Sequence, residues 1–377
     1  MNFKKTLVTL AATVACSAAL ADVNIGVILP LTGPASGLGI PAKNQIALWP
    51  TSIGGEKINV TVLDDATDPT NGVKNARRFV TEDKVDLLVG SVATPVGVAI
   101  ADVALETKTP QLALTPIGLP AGKDAYTFRM PQSNTVMATA IINHMQKQGV
   151  KTVGFLGYTD AYGEQWLQAF TPLAEKAGIK ITGVERFART DTSVTAQALK
   201  LVSGNPDAML IVASGSGAAM PHRGIVERNF KGKIYQTHGA ASKDLMRVGG
   251  KDVEGSFVVG GPVIAPYQLP DSNPSKKLAV AFADKYDKAY GVGTHNQFAG
   301  HAHDVVVVLE KAIPLALKKA KPGTPEFRTA LRDAFETMGR TVVAHGTLNW
   351  TKEDHWGYTL DTGVMLKVVD GQFTVAP

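Results

Sequence analysis

Two α/β domains of one design are what this 377-residue sequence predicts, and three observations carry the prediction. Short apolar runs alternate with helical patterns along most of the chain. The alternation restarts near the middle with a similar motif. Apolar residues make up 45% of the composition, enough for two cores in a chain of this length. One hydrophobic segment, at the start, stands outside the pattern.

That segment is read first. Lys4 and Lys5 precede an apolar run from Leu7 to Leu20, and Ala19-Leu20-Ala21 places small residues at the two positions a signal peptidase reads. The run is too short and too alanine-rich to span a bilayer comfortably, and no later stretch reaches the roughly eighteen apolar residues a span requires. The expectation is a cleaved signal peptide over 1–21 and an exported chain beginning near Asp22. A lipoprotein fits less well, because Thr13-Val14-Ala15 precedes Cys16 where a bulky aliphatic residue is usual at the first of those positions. Cys16 is the only cysteine, so export removes any disulfide, thiol nucleophile or thiolate metal site. Loss of Lys4 and Lys5 takes the 38 basic residues to 36 against 33 acidic ones, a net charge of +3. Those charges are scattered, which argues against a nucleic-acid groove.

Next come the strands. Val23 to Leu29, Ile58 to Leu63, Val85 to Val89 and Gln111 to Leu114 are short apolar runs, with helical patterns over Gly72 to Glu82 and Val96 to Thr107 between them. Such runs suit strands buried on both faces, as a parallel sheet with helices on each side requires. After Arg129 the theme restarts, with strands over Thr152 to Leu156, Ile179 to Val184, Ala208 to Val212 and Ile234 to Gln236. Helices are expected near Glu164 to Ala177 and Ala218 to Asn229. The run from Val85 to Ser91 and the run from Asp207 to Ser214 lead alike through small-residue loops and helices to the next strand, close to a structural repeat. A further helical block covers Ser275 to Tyr290 and Ala299 to Ala320. Gly363 to Val369 and Gln372 to Val375 form a hairpin turned by Asp370-Gly371.

Five segments in order resemble a known family: Ile25 to Pro34, Asp64-Asp65, Gly90 to Pro95, Phe128-Arg129, and Asp160-Ala161-Tyr162-Gly163-Glu164. Together they look like periplasmic binding proteins of the leucine/isoleucine/valine-binding type, the solute receptors of ABC importers. The resemblance implies two doubly wound parallel-sheet lobes joined by a hinge that the chain crosses three times, closing over one small ligand. It places one lobe at 22–131 plus 263–345 and the other at 132–262 plus 346–377. It implies a periplasmic monomer that delivers its ligand to an ABC permease in the inner membrane.

The cleft is expected beyond the carboxyl ends of the strands, where loops and helix starts converge. Gly90 to Pro95 sets a hydroxyl beside the unpaired amides of a starting helix, so Thr94 is the principal candidate for a carboxylate ligand, with a helix N-cap as its alternative role. By the family's pattern Ala113 and Thr115 face the cleft from the first lobe, and Tyr162 and Ser216 from the second. Two departures bear on the ligand. Amino-acid-binding members usually present a Glu before Gly after the second lobe's fourth strand, where this chain has Thr237-His238-Gly239. In the loop Ser36-Gly37-Leu38-Gly39, Leu38 stands near a position where those members can offer an aromatic hydroxyl. An acidic counter-ion for an ammonium is therefore missing and the pocket is more apolar. The expected ligand is a small apolar carboxylate, either a hydrophobic amino acid or an aromatic acid.

Rival readings are weaker. Gly37-Leu38-Gly39-Ile40-Pro41-Ala42 fits the dinucleotide fingerprint, but its glycines lie eight residues past the strand and Pro41 interrupts it. Ser214-Gly215-Ser216-Gly217 is not a nucleophile elbow, and no nucleophile with a matching base is evident, so a secreted hydrolase is disfavoured and no enzyme activity or cofactor is expected. A ligand-binding sensor module remains open. His295, His301 and His303 with Asp304 lack metal-site spacing. One histidine is expected at the contact between lobes and the others in solvent.

The export reading has a direct test. Intact-mass spectrometry of the exported protein should show a chain lacking residues 1–21, and retention of the lysine-bearing start would overturn it.

Overall fold

The computed structural model describes residues 22–376, so the expected signal peptide lies outside the described residues. β1 (Val23–Leu29) opens the chain as a strand with six of its seven residues buried. It becomes the middle of a six-stranded sheet. Following it are α1 (Ser36–Ile46), β2 (Ser52–Ile53), β3 (Glu56–Asp64), α2 (Pro69–Thr81), β4 (Leu87–Gly90), α3 (Thr94–Thr107), β5 (Gln111–Ala113) and β6 (Thr127–Arg129). The strand order is β2-β3-β1-β4-β5-β6, parallel throughout except for the short β2–β3 pair. The order therefore reverses between β1 and β4, which opens a crevice at their carboxyl ends.

The second half repeats the winding. α4 (Asn134–Lys147), β7 (Thr152–Tyr158), α5 (Ala161–Lys176), β8 (Lys180–Phe187), α6 (Thr195–Ser203), β9 (Ala208–Val212), α7 (Ala219–Val226), β10 (Lys233–Gln236), α8 (Lys243–Gly249) and β11 (Phe257–Gly260) follow. Their parallel strands run β8-β7-β9-β10-β11, with the reversal between β7 and β9. The chain then returns to the first core as α9 (Lys276–Tyr290), α10 (Gln297–Leu317), α11 (Pro325–Thr337) and the hairpin β12 (Thr341–Val343)–β13 (Gly346–Leu348). β14 (Val364–Val369) and β15 (Gln372–Val375) finish on the second sheet as antiparallel strands, and their turn residues Asp370 and Gly371 both carry positive φ, as the hairpin reading requires. Three passages between two cores give the hinge topology expected of the type I periplasmic binding fold.

Polar residues set the helix starts. Asp68 accepts from Thr70 N at 2.6 Å ahead of Pro69, and Asn296 Oδ1 accepts from Phe298 N and Ala299 N at 3.0 and 3.1 Å. α10 carries most of the second contribution to the first core, with Val305, Val308, Leu309 and Ile313 packed with β1 and β4 residues.

Two sequence expectations change. Ser36 to Gly39 was expected as a loop and is the first turn of α1, which runs on through Pro41. The helix lies so close to the end of β1 that a Cβ at Gly39 would come 2.1 Å from Pro30 O, a contact only glycine permits. The third passage between cores was expected after residue 345, yet Leu348, Trp350 and Tyr358 belong to the first core, so the passage follows Tyr358.

One buried acid secures the loop leading to α3. Asp65, 0% exposed, accepts from Ser91 Oγ at 2.7 Å and Thr67 N at 2.8 Å, and Ser91 Oγ in turn accepts from Ala93 N at 3.2 Å. Burial pushes the Asp65 carboxyl up to about 6, against the pull of the Ser91 hydrogen bond. A native carboxyl above its unfolded value binds more protons than the unfolded chain between about pH 4 and 6, so its contribution to stability falls as pH rises through that window. Urea unfolding should therefore show that Asp65→Asn gains up to about 3 kcal/mol relative to wild type between pH 4 and 7. A pH-independent difference would show that Asp65 titrates normally.

Candidate functional site

Three pairs of loops meet at the carboxyl ends of the two sheets, one member of each pair from either sheet. After β1 the chain delivers Leu38 on α1, and after β7 it delivers Tyr162 on α5. The start of α5 packs against β7 so tightly that a Cβ at Gly163 would lie 1.9 Å from Tyr158 O, and Asp160 caps it by accepting from Tyr162 N at 2.9 Å. Beyond β4 come Val92 and Thr94, and beyond β9 comes Ser214. Past β5 stand Leu114, Thr115 and Pro116, and past β10 stand His238 and Gly239. Arg189 enters from the loop after β8, and Phe298 and His301 from the start of α10. These residues line one cavity between the two sheets.

The cavity is closed. Thr94, Thr115, Tyr162 and His238 are between 1% and 4% exposed. Gly118 N donates to Gln165 Oε1 at 2.9 Å and Gln165 Nε2 donates to Gly118 O at 3.2 Å, a two-way bridge from one lobe to the other.

Thr94 is the first residue of α3, and the N-cap is Ala93, which makes no side-chain cap bond. The Thr94 hydroxyl is thus not consumed by capping; it lies 2.7 Å from Thr115 Oγ1. Two hydroxyls need one proton between them, so the other is left to donate elsewhere. Pro95 supplies no amide, leaving Thr94 and Val96 as backbone donors at this helix start. Among the described residues Arg189 is the one cation on the cavity wall. Its Nε donates to Asp160 Oδ2 at 2.5 Å, its Nη1 to Ser214 Oγ at 2.9 Å, and its guanidinium stacks 4.1 Å from the Tyr158 ring centroid. Among the described residues no carboxylate lines the cavity.

Tyr162 forms a wall. Its hydroxyl is 2.8 Å from Thr237 Oγ1 and accepts from Gly239 N at 3.2 Å, so it braces the loop after β10. Burial raises its pKa above the ordinary tyrosine value. His238 packs its ring 5.9 Å from Tyr162 and 5.6 Å from Trp166, and burial, aided by His345, lowers its pKa to about 3. His238 is therefore neutral at physiological pH.

Of the residues singled out from the sequence, Leu38, Thr94, Thr115, Tyr162 and His238 come together here. Ala113 does not: it ends β5 inside the sheet, fully buried against Ala101 and Ile117. Ser216 does not either. It is exposed in the turn Gly215–Ala218, and Ser214, two residues earlier and directly beyond β9, takes the cavity position. Sequence reasoning missed Arg189, whose only signal was its place just past a strand's carboxyl end. His301 was read among the histidines near Asp304, and its partners in space are His345 and His238, distant in sequence. The expectation of solvated histidines is corrected as well. His295 Nδ1 lies 3.0 Å from Asp287 Oδ2, and His303 Nδ1 lies 3.0 Å from Asp304 Oδ1. Among the described residues no group of three or more His, Cys, Asp or Glu is arranged to hold a metal.

Comparison with known proteins agrees with this architecture. A family of periplasmic binding proteins matches residues 22–360. The chain is 28% identical to the Leu/Ile/Val-binding protein homolog 3 of Brucella melitensis, over 93% of this chain and 94% of that protein. An extracellular ligand-binding receptor from Rhodopseudomonas palustris is 44% identical with a TM-score of 0.93, covering 94% of this chain and 99% of its own. A solute-binding protein of an ABC transporter from R. palustris, solved in complex with benzoate, shares the fold at 18% identity and a TM-score of 0.78, covering 94% and 95% of the two chains.

The bracing role of Tyr162 predicts a stability effect. Tyr162→Phe leaves Gly239 N–H without its buried acceptor, so urea unfolding of the free protein should show a loss of about 1 to 3 kcal/mol. Unchanged stability with weakened ligand binding would instead place the hydroxyl on the ligand.

Proposed function

Since the chain belongs to the periplasmic binding protein family, whose members bind substrates and are not enzymes, we propose that it is the extracytoplasmic receptor of an ABC importer for a small apolar carboxylate. The observation that carries this reading is the composition of the closed cavity: the Thr94–Thr115 hydroxyl pair at a helix start and the Arg189 guanidinium, set among Leu38, Val92, Leu114 and Phe298, with no acid on the wall. Hydroxyls, helix amides and a guanidinium all favour an anion. The apolar residues favour a hydrocarbon body. Asp160 is held by Arg189 and is not among the residues lining the cavity, so the described wall offers an ammonium group no free carboxylate.

A buried ammonium without a partner is penalised by several kcal/mol. A carboxylate lacking that group, such as an aromatic acid or a deaminated branched-chain acid, is therefore preferred over leucine. In this reading the exported monomer carries its ligand in the closed cleft to a permease in the inner membrane. Closure buries the ligand between the lobes, and the Gln165–Gly118 bridge supports the closed form.

The test is a thermal-shift screen over amino acids, benzoates and aliphatic acids, followed by calorimetry. A ligand at a hundred times its dissociation constant adds about 2.7 kcal/mol to native stability. Thr94→Val keeps the shape and removes a donor to a charged group, so affinity for the best carboxylate should fall by about 1.5 to 3 kcal/mol. Binding of leucine more tightly than of 4-methylpentanoate would overturn the preference for acids without an ammonium group, and equal affinity in the Thr94→Val protein would move the anion site elsewhere.

A further inference from the structure

Three nitrogens on the site's histidines have no partner among the described residues: Nδ1 of His238 and both ring nitrogens of His301. The two rings reach the cavity from different elements, His238 from the loop beyond β10 and His301 from the second turn of α10, and they are 2% and 1% exposed. Buried polar atoms are nearly always paired, so such a concentration of unmade bonds calls for a partner that enters the cavity.

The protein itself does not supply one. The nearest acid on α10, Asp304, accepts from His345 Nδ1 at 2.8 Å, Ala344 N at 2.8 Å, His345 N at 3.1 Å and His303 Nδ1 at 3.0 Å, so its oxygens are already engaged. His301 instead stacks on His345, with ring centroids 4.1 Å apart and planes 29° apart. Burial keeps His301 and His238 uncharged, and His345 lowers the pKa of both further. A neutral imidazole presents one N–H and one lone pair, a donor and an acceptor together. That chemistry differs from the hydroxyl pair and the guanidinium, which suit an anion. It matches an uncharged hydroxyl, which also donates and accepts, or a carbonyl, which accepts.

We propose that His238 and His301 are a second recognition element of the cavity that reads an uncharged hydroxyl or carbonyl group on the ligand, making hydroxylated or keto-substituted carboxylates the preferred class. The proposal rests on the carboxylate-receptor reading and adds a specificity to it. A polar site of this kind discriminates strongly against an analogue that lacks the matching group, because its own nitrogens are then stranded.

Methyl and hydroxyl groups are close in size, so exchanging them isolates the hydrogen bond. Calorimetry on the full exported protein would compare 3- and 4-hydroxybenzoate with 3- and 4-methylbenzoate, using benzoate as the reference. At least one hydroxy acid should bind about tenfold more tightly than its methyl counterpart. In His301→Phe that preference should shrink to about twofold or less, and His301→Gln, which keeps a donor and an acceptor, should restore part of it. If His301→Phe does not fold, His238→Phe and the wild-type comparison carry the test. Methyl acids that bind wild type as tightly as the hydroxy acids at both positions would overturn the proposal while leaving the carboxylate reading intact, the nitrogens then being served by water. Failure of all five acids to bind would overturn the aromatic-carboxylate reading itself and this proposal with it.

Discussion

Everything at this site depends on a constraint of parallel sheets. Each strand is followed by a right-handed crossover that brings the chain back to the same end, so every helix start and every strand's carboxyl end gathers on one side of its sheet. Two sheets with the same strand order, facing each other by those ends, create a cleft lined twice over by equivalent loops. Leu38 answers to Tyr162, Thr94 to Ser214, and Thr115 to His238. The pairs share a place in the winding and differ in chemistry. Such a cleft can divide its tasks between two lobes while using one backbone plan.

Closure then sets the electrostatics. In a water-excluded cavity a charge or a polar atom is expensive unless it is paired, and the wall residues fall into groups by how that pairing is met. Arg189 is paired in advance by Asp160 and Ser214, and Tyr162 by Thr237 and Gly239. The Thr94–Thr115 pair retains one proton to donate, and His238 and His301 retain unpaired nitrogens. The Tyr162 hydroxyl, satisfied within the protein, gives the wall its shape, and the charge of Arg189 together with the groups that have bonds still to make defines what the wall recognises.

The hinge is tied to the same region through Asp304. This carboxylate is fully buried, and against the penalty of burial the hydrogen bonds from His303 and His345 hold its pKa down at about 2, so it stays charged. It anchors the Ala344–His345 turn of the β12–β13 hairpin onto α10, three residues beyond His301. Gln132, on the first passage between lobes, donates to His345 O at 2.9 Å, and Gly261 N, on the second passage, donates to Gln297 Oε1 at 2.9 Å. Polar bonds thus join the passages to α10 and the β12–β13 hairpin, and the elements that hold His301 also hold two of the chain's passages.

Periodicity implied two α/β domains of one design, and the two-lobed hinge with three crossings was implied by the family resemblance. Apolar runs such as Val23 to Leu29 suit strands buried on both faces, and their repeat after Arg129 implies a second sheet. Thr94 was legible from its place at a helix start beyond a strand, a local property, whereas Leu38, Thr115, Tyr162 and His238 were legible through the family's pattern. Local reasoning failed where distance or geometry intervened. Whether a residue at a strand's end turns toward the cleft or into the sheet depends on register, which is why Ala113 packs inward and Ser214 replaces Ser216. The helix start at Ser36 to Gly39 comes with a close approach of Gly39 to Pro30 O, a contact set by backbone geometry and not by the apolar pattern. Arg189 and His301 enter the site through contacts between residues far apart in the chain. Burial, the property that leaves His238 and His301 neutral and unpaired, comes into being only when the two lobes meet.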